Sequence, residues 1–226
     1  MTDPTGDGTT EAADDGADDG GATDHRREDV LVPGARDVRA TLDARGGDAC
    51  VVACPPHPQH RGHRGDERLV AVSDAAGEAG IDCLRFDYGD WDEGAGERVD
   101  ARNAAEWATE RYDRVALFGF SFGGTLALVV GGERDDLAAV AALAPAARIS
   151  DEIDAVDGVA RLAERGTPTR VVYAERDDTA DWEPVVDAAR ERGVDAVGLP
   201  ADHFFVGQSA KVGERVGEFL VAHLSE

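Results

Sequence analysis

Residues 114–130 read RVALFGFSFGGTLALVV, a strand-like apolar run followed by a helix-like run of small and apolar residues. Between the two runs lies Gly119-Phe120-Ser121-Phe122-Gly123, which matches G-x-S-x-G at a strand-to-helix junction. So sharp a turn leaves no room for side chains at the flanking positions, which is a physical reason for glycine there. The turn also places the serine hydroxyl at a helix N-terminus, where free N–H groups favour a developing oxyanion. The segment predicts a nucleophile at Ser121.

On either side of this segment, short apolar runs alternate with helix-like stretches. The apolar runs are continuous and bounded by turn residues, as expected for strands that are covered on both faces. This alternation predicts an α/β fold with a largely parallel sheet and helices on both faces. The predicted strands are 49–54, 82–86, 114–120, 137–143, 169–174 and 195–199, and the predicted helices are 67–79, 99–110, 122–130, 153–164, 181–192 and 209–224.

One domain preceded by a tail is the predicted organisation. Residues 1–28 are rich in Asp, Gly, Thr and Ala and have almost nothing to bury, which predicts a disordered acidic tail. Residues 29–226 form the predicted domain, with an antiparallel pair at 31–33 and 38–42 on its leading edge. The 25 residues between Leu143 and Thr169 suffice for one crossover helix and leave no length for a lid.

Two later strand ends carry acids and a histidine. The strand at 169–174 runs into Glu175-Arg176-Asp177-Asp178, and the strand at 195–199 runs into Pro200-Ala201-Asp202-His203. A serine hydroxyl needs a base that an acid orients, and at such turns the order along the chain is Ser, Asp or Glu, then His. Taken singly, the histidine fits a surface loop and the acids fit turns or helix caps. Together they predict a triad of Ser121, Asp177 and His203, with Asp178 as the alternative acid.

Other kinds of site compete for these residues. A Walker loop needs Lys-Ser or Lys-Thr after its last glycine, but the one lysine, Lys211, lies in the final predicted helix, and no G-x-G-x-x-G follows the first strand. A metal site is the alternative for the histidines of residues 55–63, which are spaced by three. Pro58 and Gly62 oppose a helix that would align them. We therefore expect no metal at His57, His60 and His63.

The quoted motifs resemble the α/β-hydrolase superfamily, and within it the small, lidless, dienelactone-hydrolase-like members. These carry a His-Pro loop after the third strand, a G-x-S-x-G-G turn, and a terminal histidine often followed by Phe-Phe. The counterparts here are His57-Pro58, Gly119 to Gly124, and His203-Phe204-Phe205. In the family the acid usually sits three residues after a strand-end glycine. Ala174 takes that glycine's place here, so the resemblance points to Asp177.

The resemblance also implies an oxyanion hole and a pocket. The loop after the third strand supplies the second oxyanion N–H in this fold, and because Pro58 has none, Gln59 is the expected donor beside Phe122. The open substrate pocket is expected to be lined by His57, Trp91 and Phe204, together with Phe122.

Two features depart from the family. Dienelactone hydrolase itself uses cysteine where this chain has Ser121, and the loop after the strand at 82–86 reads Phe86-Asp87-Tyr88-Gly89-Asp90 instead of containing an Arg-Gly pair. The resemblance therefore implies hydrolase chemistry without a particular substrate. The expected function is a serine hydrolase that cleaves a small carboxylic ester or similar acyl bond and needs no cofactor. The alternatives are an acyltransferase or peptidase on the same triad and a non-catalytic binding protein.

The charge of the chain is extreme, with 47 acidic residues against 23 basic ones and a net charge of −24. Residues 1–29 contain ten acids and two arginines, so most of the excess belongs to the folded body. Such a surface repels nucleic acids and anionic membranes, so neither is an expected partner. An acidic mimic or disordered acidic protein is one interpretation, and adaptation to a high-salt cytoplasm is the one that the even spread of acids favours.

Location and redox chemistry follow from the remaining composition. No apolar run approaches the roughly 18 residues that a membrane span needs, and no signal-like segment is seen near the N-terminus. We therefore expect a cytoplasmic protein. The odd count of cysteines argues against a disulfide framework, so Cys50, Cys54 and Cys83 are predicted to be buried packing thiols. The oligomeric state is left open.

Salt is expected to stabilise this protein. Its acidic surface repels itself, and at 1 M salt the screening length falls to about 3 Å. We expect compact protein with a high melting temperature at molar salt and a lower melting temperature in dilute buffer, measured by circular dichroism. Equal melting temperatures at the two salt concentrations would contradict adaptation to high salt.

Overall fold

An eight-stranded mixed sheet forms the centre of the protein in a computed structural model that describes Met1 and residues 26–225. The strands, in chain order, are β1 (Arg26–Val32), β2 (Val38–Ala44), β3 (Ala49–Cys54), β4 (Asp82–Phe86), β5 (Arg114–Phe120), β6 (Ala139–Leu143), β7 (Arg148–Ser150), β8 (Ile153–Asp154), β9 (Thr169–Ala174) and β10 (Asp195–Leu199). The large sheet has the order β1-β2-β4-β3-β5-β6-β9-β10, and β7 and β8 form a separate two-stranded sheet. Strands β1 and β2 are antiparallel to their neighbours, and the others run parallel.

Helices cover both faces of the sheet. They are α1 (Glu67–Glu78), α2 (Ala95–Thr109), α3 (Phe122–Glu133), α4 (Ala155–Arg165), α5 (Glu183–Glu191) and α6 (Ser209–Leu224), with a short 3₁₀ helix at Pro58–His60. The side chains of strand β5 point alternately into the two cores, one on each face of the sheet. Val115 and Leu117 belong to the core under α2 to α5, whereas Phe118 and Phe120 belong to the core under α1 and α6. Because both faces are buried, the central strands contain few polar residues.

The six predicted central strands are confirmed, and five of them have the predicted bounds. The antiparallel pair on the leading edge is also confirmed, as β1 and β2. Strand β1 begins at Arg26, so residues 26–28 of the predicted tail belong to the sheet. Residues 2–25 of that tail lie outside the described residues.

Helix α2 begins four residues before its predicted start because Glu97 caps it. The buried Glu97 carboxylate accepts hydrogen bonds from the amides of Asp92 and Gly94, at 2.9 and 2.8 Å. Gly94 has a φ of 95°, a conformation that favours glycine and that lets the chain enter the helix.

The connection between β6 and β9 contains no separate lid. Its residues form the small sheet of β7 and β8 and the crossover helix α4. The crossover helix was predicted, whereas the small sheet was not, because strands of three and two residues leave no periodic pattern. None of the helices among the described residues is long and apolar enough to cross a membrane.

A buried ion pair ties the leading edge of the sheet to the loop after β3. Asp43 Oδ2 accepts hydrogen bonds from Arg85 Nε at 2.7 Å and Ser73 Oγ at 2.8 Å. The Arg85 guanidinium also donates to the carbonyl oxygen of Arg64. Burial acts to raise the pKa of Asp43, but its hydrogen bonds to Arg27, Ser73 and Arg85 hold that pKa below the usual value.

Replacing Asp43 with alanine is expected to lower the free energy of unfolding by about 3 kcal/mol, because the buried Arg85 loses its partner. Because the pKa of Asp43 is lower in the folded protein than in the unfolded chain, Asp43 stabilises the fold fully above about pH 4. This stabilisation is lost progressively as the pH falls toward the pKa of Asp43 in the folded protein. The difference between wild type and Asp43→Ala in urea unfolding should therefore shrink below pH 4. Asp48→Ala is the matched control, since the Asp48 side chain is 71% exposed. Equal losses for both variants would contradict this account.

Candidate active site

The turn between β5 and α3 holds Ser121 in a strained backbone conformation. Its φ is 55° and its ψ is −118°, and its amide donates to the Leu143 carbonyl oxygen at 2.8 Å. A Cβ on Gly119 would lie 2.0 Å from the Gly123 carbonyl oxygen, and one on Gly123 would lie 2.2 Å from the Cys54 carbonyl oxygen. Both positions are therefore closed to any side chain, as the pattern in the sequence indicates.

Two hydrogen bonds join the three residues that the sequence nominates as a triad. His203 Nε2 lies 2.9 Å from Ser121 Oγ, and His203 Nδ1 lies 2.7 Å from Asp177 Oδ2. The carboxylate only accepts hydrogen bonds, so Nδ1 carries the proton and Nε2 is free to accept from the serine hydroxyl. His203 is 4% exposed and the Asp177 side chain is fully buried. The arrangement can remove a proton from Ser121 and stabilise the resulting imidazolium.

The acid in contact with the histidine is Asp177, and the neighbouring Asp178 is exposed. Asp177 Oδ1 accepts from the amides of Thr179 and Ala180 at 2.9 and 3.0 Å, which leaves Oδ2 for the histidine. Trp182 Nε1 donates to the Asp177 carbonyl oxygen at 3.3 Å. Together these bonds fix the register of the loop after β9.

The two amides expected to bind an oxyanion differ in their surroundings. Phe122 is the first residue of α3. The first hydrogen bond of the helix is donated by the Thr125 amide to the Ser121 carbonyl oxygen, so the Phe122 amide has no acceptor within the helix. The Gln59 amide donates to His57 Nδ1 at 3.2 Å. His57 caps the 3₁₀ helix with its own ring, which the sequence did not predict.

A cavity of about 390 Å³ opens beside Ser121 and His203. His57 and Trp91 line it as expected. Phe204 does not line it. The residue is 52% exposed, and its ring packs edge-on against His203 with 5.1 Å between the ring centroids. Sequence reasoning missed several lining residues, which lie in the short 3₁₀ helix, in loops and in β7 without any periodic signal: His60, Glu93, Ala146, Arg148, Ile149, Thr179 and Ala180.

The histidines of the loop after β3 contact rings and amides. His57 and His60 stack on each other with centroids 4.5 Å apart, and His63 Nδ1 accepts from the Gly65 amide at 2.9 Å. Burial, followed by the neighbouring His60, lowers the pKa of His57. Within residues 26–225, no three His, Cys, Asp or Glu side chains are grouped so as to hold a metal ion.

Several solved structures of serine hydrolases and esterases have the same architecture as this protein. A serine hydrolase homologue from Coxiella burnetii is 25% identical, with 85% of this chain and 97% of that chain covered and a TM-score of 0.72. A serine hydrolase without a lid from Xanthomonas campestris is 21% identical, with 88% and 96% covered and a TM-score of 0.71. An esterase from Pyrococcus furiosus is 16% identical, with 88% and 93% covered and a TM-score of 0.74. The chain has the α/β-hydrolase fold. No family model and no curated protein matches the sequence.

In this α/β-hydrolase fold, Arg68 of α1 holds the loop that follows His203. Its guanidinium donates to the Phe204 carbonyl oxygen at 2.8 Å and lies over the Phe120 ring, 4.4 Å from the centroid. Its other side is paired with Asp66, the N-cap of α1. Arg68 therefore fixes the histidine loop to α1, which packs in the same core as Phe205.

Ser121 Oγ is expected to attack the phosphorus of a fluorophosphonate probe and displace fluoride, because His203 Nε2 can take the hydroxyl proton. Ser121→Ala should abolish labelling, and Asp177→Asn should slow it by up to about 10⁴-fold. Asp178→Asn is the matched control and should label at the wild-type rate, measured by intact-mass spectrometry at molar salt. Labelling of Ser121→Ala, or a slower rate for Asp178→Asn than for Asp177→Asn, would refute this assignment.

Proposed function

We propose that the protein is a serine hydrolase that cleaves carboxylic esters of small acyl groups through Ser121, His203 and Asp177. The observation that carries this proposal is the chain of hydrogen bonds from Asp177 through His203 to Ser121, which ends at an open cavity. The likeness to solved esterases supports the ester as the bond that is cleaved. One structural neighbour, Est1E from Butyrivibrio proteoclasticus, has been solved with ferulic acid bound.

The reaction begins when Ser121 Oγ attacks the ester carbonyl carbon while His203 Nε2 takes its proton. The negative charge on the carbonyl oxygen is met by the Phe122 amide at the N-terminus of α3. The imidazolium of His203, held by Asp177, then gives its proton to the departing alcohol oxygen, and the acyl group stays on Ser121. Water, deprotonated by His203, attacks the acyl-enzyme and releases the carboxylic acid.

Gln59 is the proposed second donor to the oxyanion. Its amide donates to His57 Nδ1 at 3.2 Å, so it must turn toward the substrate or be shared when the tetrahedral intermediate forms. Removal of one oxyanion donor from such a site costs about 10²–10³ in kcat. The Phe122 amide, fixed by the helix, supplies the part of this stabilisation that is already in place.

We also infer that the enzyme works in a cytoplasm of high salt. The net charge of −24 and the use of arginine for all but one positive charge support this inference. The His57-Pro58 loop and the His203-Phe204-Phe205 sequence support a place in the dienelactone-hydrolase-like branch.

The proposed function predicts activity toward short p-nitrophenyl esters at molar salt. The open cavity buries little of a long chain, and each unburied methylene forgoes about 0.8 kcal/mol, so among straight-chain acyl groups kcat/KM should be highest at roughly two to six carbons. Ser121→Ala should lower the rate by several orders of magnitude, and adding His203→Ala should lower it little further, because triad members act as a unit.

Three results would contradict the proposed function, and each would contradict a different part of it. A rate that keeps rising to acyl chains of twelve carbons would refute the size limit. Wild-type protein that hydrolyses no ester would refute the enzyme proposal and favour a binding protein. Transfer of the acyl group to an added alcohol in preference to water would indicate an acyltransferase.

A further inference from the structure

Four aromatic rings meet at one side of the cavity. His57 lies at their centre, with ring centroids 4.5 Å from His60, 4.6 Å from Trp91 and 5.0 Å from Phe122. All four side chains line the cavity beside Ser121. We call these four side chains the aromatic wall. The rest of the lining is mixed: Ala146, Ile149 and Ala180 contribute aliphatic groups, and Glu93, Arg148 and Thr179 contribute polar or charged ones.

The aromatic wall lies at the edge of the core, because Phe122 is buried in the core whereas the other three rings are not fully covered. His60 is exposed and Trp91 is half-buried, whereas the core phenylalanines such as Phe86 and Phe118 are fully buried. Large aromatic rings left beside an open cavity give up burial that would otherwise stabilise the fold. A group that enters the cavity would cover the exposed parts of His60 and Trp91.

The loop that carries Trp91 is held by two buried carboxylates. The amides of Asp92 and Gly94, which follow Trp91, donate to Glu97, and the Gly89 amide, which precedes it, donates to Asp100 Oδ2 at 3.0 Å. Both carboxylates have fully buried side chains. Burying carboxylates costs free energy that only well-formed partners offset, so the position of this loop is closely determined.

His57, at the centre of the aromatic wall, presents an uncharged ring face. His57 Nδ1 accepts the Gln59 amide, so this nitrogen carries no proton. Burial lowers the pKa of the same ring, which keeps it neutral near pH 7. Neutral aromatic faces pack best with another planar ring, at a gain of about 0.5–1.5 kcal/mol beyond the area buried.

We propose that the substrate carries a planar aromatic group that stacks on the aromatic wall while its ester carbonyl lies at Ser121. This inference rests on the proposed ester hydrolysis and specifies its substrate class. The ring is attached through the acyl part or through the alcohol part of the ester, and the experiment separates the two. A saturated ring of the same carbon skeleton is thicker than an aromatic ring and has no π face, so it should stack less well on the aromatic wall.

The test compares esters that differ only in ring saturation. Methyl phenylacetate and methyl cyclohexylacetate form the acyl pair, and benzyl acetate and cyclohexylmethyl acetate form the alcohol pair. After division by the rate of alkaline hydrolysis, kcat/KM should favour the aromatic member of one pair by about three- to tenfold. Which pair shows the preference identifies the side of the ester that faces the aromatic wall.

Two tryptophan variants check where the preference arises. Trp91→Leu should bring the aromatic-to-saturated ratio close to one. Trp107→Leu is the matched control and should keep the wild-type ratio, because Trp107 of α2 packs against Tyr112 and does not line the cavity. Equal rates within both pairs, or a preference that survives Trp91→Leu, would overturn the inference.

Binding to Ser121→Ala tests the aromatic wall without turnover. Calorimetry at molar salt should give a three- to tenfold tighter Kd for the aromatic member of the preferred pair. If the wild type hydrolyses no ester while this variant still prefers the aromatic member, the proposed function fails and the aromatic site stands. If the wild type hydrolyses esters but the variant binds both members of each pair equally, the aromatic site fails and the proposed function stands.

Discussion

The close backbone approach at the turn between β5 and α3 determines the rest of the candidate site. Gly123 packs against the carbonyl oxygen of Cys54, the last residue of β3, and the Ser121 amide binds the last carbonyl of β6. Three adjacent strands therefore end against one turn. Because the loop that contains His57 starts directly after Cys54, the same contact sets how far that loop lies from Ser121. A side chain at Gly123 would push α3 away from β3 and so move Ser121 away from the loop that contains His57.

The strain in this turn is sustained by the burial of α3. A non-glycine residue at a φ of 55° costs on the order of 1–3 kcal/mol, and it persists only where the surroundings determine it. Helix α3 is apolar on every side, and its residues from Phe122 to Gly132 are all buried. Such a helix is stable only in the middle of the protein. Its position between the sheet and α4 fixes the end of the turn that holds Ser121.

The sequence predicts those parts of the structure that depend on burial and on glycine. Strands covered on both faces appear as continuous apolar runs, so their bounds were readable, and the chain order of Ser121, Asp177 and His203 located three side chains that are adjacent in space. The sequence did not predict features that depend on a single side-chain contact, because such contacts leave no periodic pattern. The early start of α2 depends on the contacts of Glu97, and the cap of the 3₁₀ helix depends on the hydrogen bond between the His57 ring and the Gln59 amide. Phe204 was placed in the cavity because the sequence does not indicate which way a residue in a turn points.

Arginine–carboxylate pairs fix the loops of the candidate site, and this connects the site to the composition of the chain. Each of three guanidinium groups donates to a loop carbonyl: Arg36 to Asp90, Arg68 to Phe204 and Arg85 to Arg64. Each is also paired with a carboxylate: Asp100, Asp66 and Asp43, respectively. A planar guanidinium can bind a carboxylate and a carbonyl at once with fixed geometry, which the point charge of a lysine does less well. The carboxylates of these pairs are at most 10% exposed, so salt screens them far less than it screens surface charges. High salt therefore relieves the repulsion between the many exposed acids and leaves intact the ion pairs that position Trp91, His57 and the loop after His203.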